Sequence, residues 1–187
     1  MARGIFIFGS AGAGKRTLGN AVAQGLNYPF YHTDDYFWRT GMKYPYTLML
    51  PREDRVIRLI DALWEQENFV LAGTLDTISE HFEPMFDLAV YLTTNTYVRL
   101  DRLQKREYEK FGDRILEGGD LYPMHMRFLD TARRYDSNAI PNADAHAAWA
   151  GTLPCPVLRL SGEMDPMVNA QLIIEAYHQQ ISRKKDT

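Results

Sequence analysis

The stretch Gly4-Ile5-Phe6-Ile7-Phe8-Gly9-Ser10-Ala11-Gly12-Ala13-Gly14-Lys15-Arg16-Thr17 decides the fold. Its apolar half reads as a buried strand, a glycine-rich turn follows at once, and Lys15–Leu26 reads as a helix. In that context, glycine, four residues, glycine and lysine make a P-loop. The glycines let main-chain N–H groups converge on phosphate oxygens. The positive end of the helix adds to their field, and Lys15 supplies a full charge to the β- and γ-phosphates of a nucleotide. Gly9, Ser10, Ala11, Gly12, Ala13, Gly14, Lys15, Arg16 and Thr17 are therefore the expected nucleotide-binding residues, with Lys15 also catalytic; the motif does not choose between ATP and GTP. Arg16 stands where serine or threonine would ordinarily ligate Mg²⁺. The hydroxyl comes one residue later, which makes Thr17 the expected metal ligand and leaves Arg16 either on a phosphate or in solvent.

Outward from the loop, short apolar runs alternate with longer amphipathic ones, the pattern of a parallel sheet covered by helices on both faces. Strands are expected at residues 4–8, 30–31, 69–72, 88–92 and 157–160. Further helices are expected at 52–67, Thr96–Phe111, 122–135 and 166–182. The second of the helices opens after Pro51 with Glu53 and Asp54 in its first turn. It repeats Val56, Ile57, Leu59, Ile60, Leu63 and Trp64 at helical spacing. The fold class is α/β: a three-layer α/β/α P-loop fold with a five-stranded parallel sheet and a helical lid near residues 112–121, within one domain over residues 1–187. The glycine-bearing stretch 112–120 reads as a mobile loop, 136–144 as a polar connection, and 183–187 as a frayed end.

The 187 residues are 45% hydrophobic and 24% charged, an ordinary globular composition. A net charge of -3 gives no general pull on nucleic acid or membrane phosphates, so neither is an expected partner and anion binding must rest on local clusters. The lone Cys155 lies between two prolines and reads as a buried thiol in a reducing compartment. No apolar stretch approaches membrane length, and the expected location is cytoplasmic. The oligomeric state stays open.

Asp34 and Asp35 follow the second strand at the carboxyl edge of the sheet, where open α/β folds bind ligands. A carboxylate there can orient or deprotonate an acceptor hydroxyl. Tyr36, Phe37, Trp38, Tyr44 and Tyr46 crowd the loop beyond. They either stack a planar acceptor or pack the helix at 52–67 onto the sheet. Arg99, Arg102 and Arg106 recur at spacings of three and four, along one helix face. The next helix carries Arg127, Arg133 and Arg134. Solvated ion pairs with Asp101, Glu107, Glu109 and Asp130 are the alternative to phosphate binding for these arginines. His125 reads as a packing histidine.

The P-loop, its Lys-Arg-Thr-Leu-Gly continuation and the run Phe30-Tyr31-His32-Thr33-Asp34-Asp35-Tyr36-Phe37-Trp38 resemble small-molecule kinases of the nucleoside monophosphate kinase superfamily. The opening and the Phe-Tyr-x-x-Asp run look like shikimate kinase, and Asp34-Asp35-Tyr36-Phe37 looks like nucleoside and nicotinamide riboside kinases. The chain as a whole also looks like bacterial P-loop proteins labelled adenylate-kinase-like ATPases. The resemblance implies transfer of the γ-phosphoryl group of ATP, with Mg²⁺, to a small-molecule acceptor, a nucleoside or nucleotide by preference. It implies Lys15, Asp34, Arg106 and Arg114 as catalytic, Arg102 and Arg106 beside the nucleotide, and Asp34, Asp35, Tyr36 and Arg133 around the acceptor. It also sets Ser161-Gly162-Glu163 beside the adenine. The acceptor signatures of shikimate and adenylate kinases are absent after the third strand, where this chain has Ala72-Gly73-Thr74-Leu75-Asp76. A nucleotide hydrolase and a non-catalytic nucleotide-binding regulator are the alternatives. The hydrolase lacks a strand-end acid, since the strand at 69–72 runs into Gly73-Thr74 and Asp87 precedes the next strand. Arg16 keeps the regulator open.

Overall fold

The computed structural model describes residues 3–42 and 46–185, so Tyr44 lies outside the described residues. Five strands, β1 (Arg3–Gly9), β2 (Phe30–His32), β3 (Asn68–Ala72), β4 (Phe86–Thr93) and β5 (Val157–Ser161), form one parallel sheet in the order β2-β3-β1-β4-β5. The helices are α1 (Lys15–Leu26), α2 (Asp34–Phe37), α3 (Arg52–Trp64), α4 (Thr96–Phe111), α5 (Tyr122–Arg133), α6 (Ala143–Ala150) and α7 (Pro166–Lys185). This is the expected P-loop α/β fold. Among the described residues no helix is long and apolar enough to cross a membrane.

Side chains alternate across each strand, so β1 sends Phe6 and Phe8 to one face and Ile5 and Ile7 to the other. The first face is an aromatic ladder, with Phe6 stacked on Phe86 at 4.9 Å and Phe8 on Tyr91 at 5.1 Å. Such pairs add about 0.5–1.5 kcal/mol each beyond the area they bury. Leu59 and Leu63 of α3 cover this ladder, and Trp149 of α6 meets Phe8 edge-on at 4.7 Å. The aliphatic face packs against Leu18 and Val22 of α1 and Ala170, Ile173 and Tyr177 of α7. The two β-branched residues and the two rings of β1 thus assign the layers.

Several local expectations change. α3 stops at Trp64, and both Ile57 and Trp64 face solvent, because only Leu59 and Leu63 of the apolar stripe reach the floor of the core. α5 ends at Arg133 in a 3₁₀ turn, Arg134–Asp136, and α7 continues to Lys185. The stretch read as a loop after α4 follows a folded path: Gly112–Ile115 is a 3₁₀ turn with Ile115 buried, and the Leu121 N–H donates to the Arg114 carbonyl at 2.9 Å. Helix α6 was not expected. Its alanines show no amphipathic stripe, yet the Asn142 side chain caps its start by accepting from the Ala145 N–H at 2.8 Å. Asp87 lies at the amino end of β4, paired with Arg3, on the sheet edge opposite the P-loop.

Candidate active site

The P-loop bridges β1 and α1 at the carboxyl edge of the sheet. Gly12, at φ 78, needs glycine twice over: the backbone is left-handed there, and a Cβ would sit 2.6 Å from the Arg99 carbonyl oxygen of α4. The first α1 bond to follow the loop runs from the Leu18 N–H to the Gly14 carbonyl. The N–H groups of Lys15, Arg16 and Thr17 therefore have no intrahelical acceptor and sit at the positive helix end, a ready anion site. The Lys15 ammonium lies back across its own loop, donating to the carbonyls of Gly9 at 3.0 Å and Ser10 at 2.8 Å. Burial lowers its pKa to about 8, opposed by the carboxylate of Asp34. Phosphate oxygens would replace those carbonyls with full negative charge, so the residues present fit a nucleotide.

A cleft of about 220 Å³ opens on the Gly9–Ala11 side of the loop, and Asp34, Arg55, Asp76 and His146 stand in its wall. Asp34 is held from two sides. Its main-chain N–H donates to Nδ1 of His32 at 3.3 Å, and its Oδ1 accepts from the Trp38 indole at 3.2 Å. Burial pushes His32 down to about 4, so the ring is neutral and its Nδ1 is free to accept. Asp76 adopts a positive φ of 40, a strained backbone for a side chain of its kind, and burial raises its pKa while Arg55 opposes the rise. The Arg55 guanidinium lies 5.4 Å over the Phe37 ring, and its Nε is buried with no partner among the described residues. His146 is also buried, with Nδ1 2.7 Å from the Tyr135 hydroxyl, and burial followed by the charge of Lys15 pushes it to about 4.

The other acceptor-side candidates stand elsewhere. Asp35 turns outward to an exposed ion pair with Arg16, Oδ1 to Nη2 at 3.1 Å. That pairing also accounts for the arginine after Lys15: its side chain leaves the phosphate site for the surface. Tyr36 tilts against Tyr31 at 6.2 Å, and Arg133 is exposed on α5; neither lines the cleft. Phe37 is buried beneath α3, while Trp38 reaches the cleft wall.

On the far side of the P-loop a second cavity of about 210 Å³ is walled by Ala13, Gly14, Thr17, Arg102, Gly162 and Pro166, among others. Arg102 donates from Nη1 to the Gly162 carbonyl at 3.0 Å, which brings the expected adenine loop and the expected nucleotide arginine together. Arg106 is paired with Glu107 at 2.6 Å and lies 6.0 Å over the Phe128 ring of the acceptor-side wall. Arg114 makes a two-pronged pair with Asp120 at 2.9 and 2.8 Å. Arg99 departs from the stripe reading. It is fully buried and donates to the carbonyls of Thr94 and Ala132, to Thr96 Oγ1 and to Asp136, riveting α4 to the end of α5. Arg99 and Arg102 share a face in sequence, but the turn of α4 sends one inward and the other to the loop.

Sequence reasoning missed Arg55 and His146. Arg55 sits among the exposed-looking charges of α3, and His146 lies on the helix whose start only Asn142 signalled.

A family model described as an AAA domain matches residues 5–120, more than half of the chain, including the P-loop, Asp34 and α4. The chain is 30% identical to an uncharacterised Bacillus subtilis (strain 168) protein, YqaC, over 92% of its own length and 94% of that protein's. It is also 30% identical to shikimate kinase 1 of Enterobacter sp. (strain 638), over 73% of this chain and 89% of that one. A shikimate kinase from Acinetobacter baumannii, solved in complex with shikimate, shares the fold at a TM-score of 0.59 and 18% identity, covering 96% of this chain and 94% of that one. The chain belongs to the P-loop small-molecule kinases of the nucleoside monophosphate kinase type. It is a kinase, and its acceptor is a separate question.

Proposed function

We propose that this kinase moves the γ-phosphoryl group of ATP to a hydroxyl of a small acceptor that also carries an anionic group, a hydroxy acid by preference. The observation that carries this reading is the cleft beside Gly9–Ala11, which pairs a carboxylate, Asp34, with a half-buried arginine, Arg55, whose Nε is itself buried and has no partner among the described residues. An acceptor carboxylate would supply that partner, in the planar geometry that arginine matches. Relatives that phosphorylate shikimate, itself a hydroxy acid, support the same class.

In this mechanism Asp34 takes the proton of the acceptor hydroxyl as its oxygen attacks the γ-phosphorus. The bond to the β,γ-bridging oxygen breaks and ADP leaves, while Lys15, drawn from the loop carbonyls to the phosphates when the nucleotide binds, stabilises the charge that builds there. Arg106 and Arg114 would join by exchanging their present carboxylate partners for phosphate. Arg102 holds the base side. Mg²⁺ bound with the nucleotide would neutralise phosphate charge; Thr17, the hydroxyl expected to hold it, lies on the base-side wall of the loop.

A nucleoside or nucleotide acceptor is the second reading, favoured by the Trp38 and Phe128 rings in the same wall. Asp35, Tyr36 and Arg133 would then act at the rim. ADP release, measured across hydroxy acids such as shikimate and gluconate and across nucleosides and nucleoside monophosphates, separates the two. Release stimulated by a hydroxy acid is expected. Stimulation by nucleosides alone would replace the first reading with the second, and release independent of any acceptor would contradict both.

A further inference from the structure

We propose that Asn169 selects the base of the donor nucleotide, favouring adenine over guanine; this rests on reading the cavity beside Ala13, Gly14 and Arg102 as the donor's base site. Asn169 lies in the first turn of α7, is 1% exposed, and forms part of that cavity's wall. Its Nδ2 donates to the Ser161 carbonyl at 2.8 Å, at the end of β5. This bond fixes the amide's orientation, because an oxygen in its place would oppose the carbonyl oxygen. The amide oxygen Oδ1 is left buried and without a hydrogen-bond partner among the described residues. A buried acceptor of this kind is costly to leave unmet, and with Asn169 in the cavity wall a donor on whatever enters is the partner Oδ1 would take.

The chemistry of the purines then decides. Adenine carries an amino group at position 6, a donor that meets Oδ1. Guanine and hypoxanthine carry an oxygen there, and two acceptors would face each other. The rest of the wall discriminates little: Leu18, Leu92 and Pro166 are apolar, and Arg102 already donates to Gly162. A site built around one buried polar partner rejects a ligand that lacks the matching group far more strongly than an apolar slot does.

The test is calorimetric titration of the full chain with ADP, GDP, IDP and the diphosphate of unsubstituted purine riboside, all with Mg²⁺ and no acceptor. ADP is expected to bind at least roughly tenfold more tightly than the other three. In Asn169→Leu the four affinities should converge to within about threefold, chiefly through loss of ADP binding. Purine riboside diphosphate differs from ADP by the amino group alone, so its deficit in the wild-type chain should vanish in the variant. Equal binding of all four by the wild-type chain overturns the assignment even if the variant fails to fold. A uniform drop for all four in Asn169→Leu also overturns it, since a purely structural tie from α7 to β5 would act that way. Failure of every diphosphate to bind would instead overturn the donor-site reading beneath it.

Discussion

The two cavities that flank the P-loop are built in opposite ways. The donor side is built on the contiguous loop, Ala13 and Gly14, with Gly162 and Arg102 tied across it and apolar Leu18, Leu92 and Pro166 and the amide of Asn169 completing the wall. The acceptor side sets titratable and cationic side chains from four separate segments, Asp34 after β2, Arg55 on α3, Asp76 after β3 and a neutral His146 on α6, among the rings of Trp38 and Phe128. A phosphate cradle needs N–H groups at fixed spacing, which contiguous residues supply. An acceptor site needs particular side chains converging from a distance, which contiguous residues cannot supply. Family resemblance therefore carries the donor side further than the acceptor side.

The first way to break this division is Lys15→Ala. It removes the side-chain charge that the phosphate loop itself supplies, and turnover should fall roughly 10³-fold, in the range set by loss of a key electrostatic donor. Circular dichroism should show the fold intact. Survival of activity within about tenfold would remove the P-loop from catalysis.

Asp34→Asn against Asp35→Asn sharpens the acceptor side. Asp34 faces the cleft and is held by His32 and Trp38, whereas Asp35 faces outward to Arg16. The first substitution should cost about 10²-fold in turnover, the low end for a positioned base, with nucleotide affinity nearly unchanged. The second should cost less than about threefold, as an exposed ion pair contributes about 0–1 kcal/mol. A reversed order would make Asp35 the acceptor-side group.

The smallest effect is one of pH. In the free protein burial holds Lys15 near 8, below the ordinary lysine value of 10.5. Its charged form, which binds phosphate, is therefore complete below about pH 7 and lost as pH rises through 8. Bound phosphate raises that pKa again, so binding takes up a proton above pH 8 and ADP affinity should fall there with rising pH. Lys15→Arg should flatten the profile between pH 7 and 9.5, because arginine stays charged throughout. A wild-type profile already flat across that range would show that Lys15 is fully charged in the free protein.

The same contrast explains which features are legible in the sequence. The strand, loop and helix from β1 to α1, the five parallel strands and the placement of Asp34 followed from apolar period and motif spacing. Arg99 did not: its spacing matches Arg102, but only packing reveals that its side chain dives between α4 and α5 to meet Asp136. The loop after α4 carries glycines that suggested an open path, and the Arg114–Asp120 pair with the burial of Ile115 closes it. Helix α6 was hidden because an alanine-rich segment buries its face without showing periodicity, and His146 was hidden with it.

Arg55 gives the most direct test of the account. With the hydroxy acid that best stimulates ADP release, kcat/KM for the acceptor and the dissociation constant for ADP should be measured in parallel for the wild-type chain and Arg55→Leu. The account predicts that acceptor kcat/KM falls roughly 10- to 100-fold, the cost of losing a charge-assisted hydrogen bond of about 1.5–3 kcal/mol, while ADP affinity stays within about twofold. Unchanged acceptor kinetics, or a loss of ADP affinity equal to the loss in kcat/KM, would contradict it.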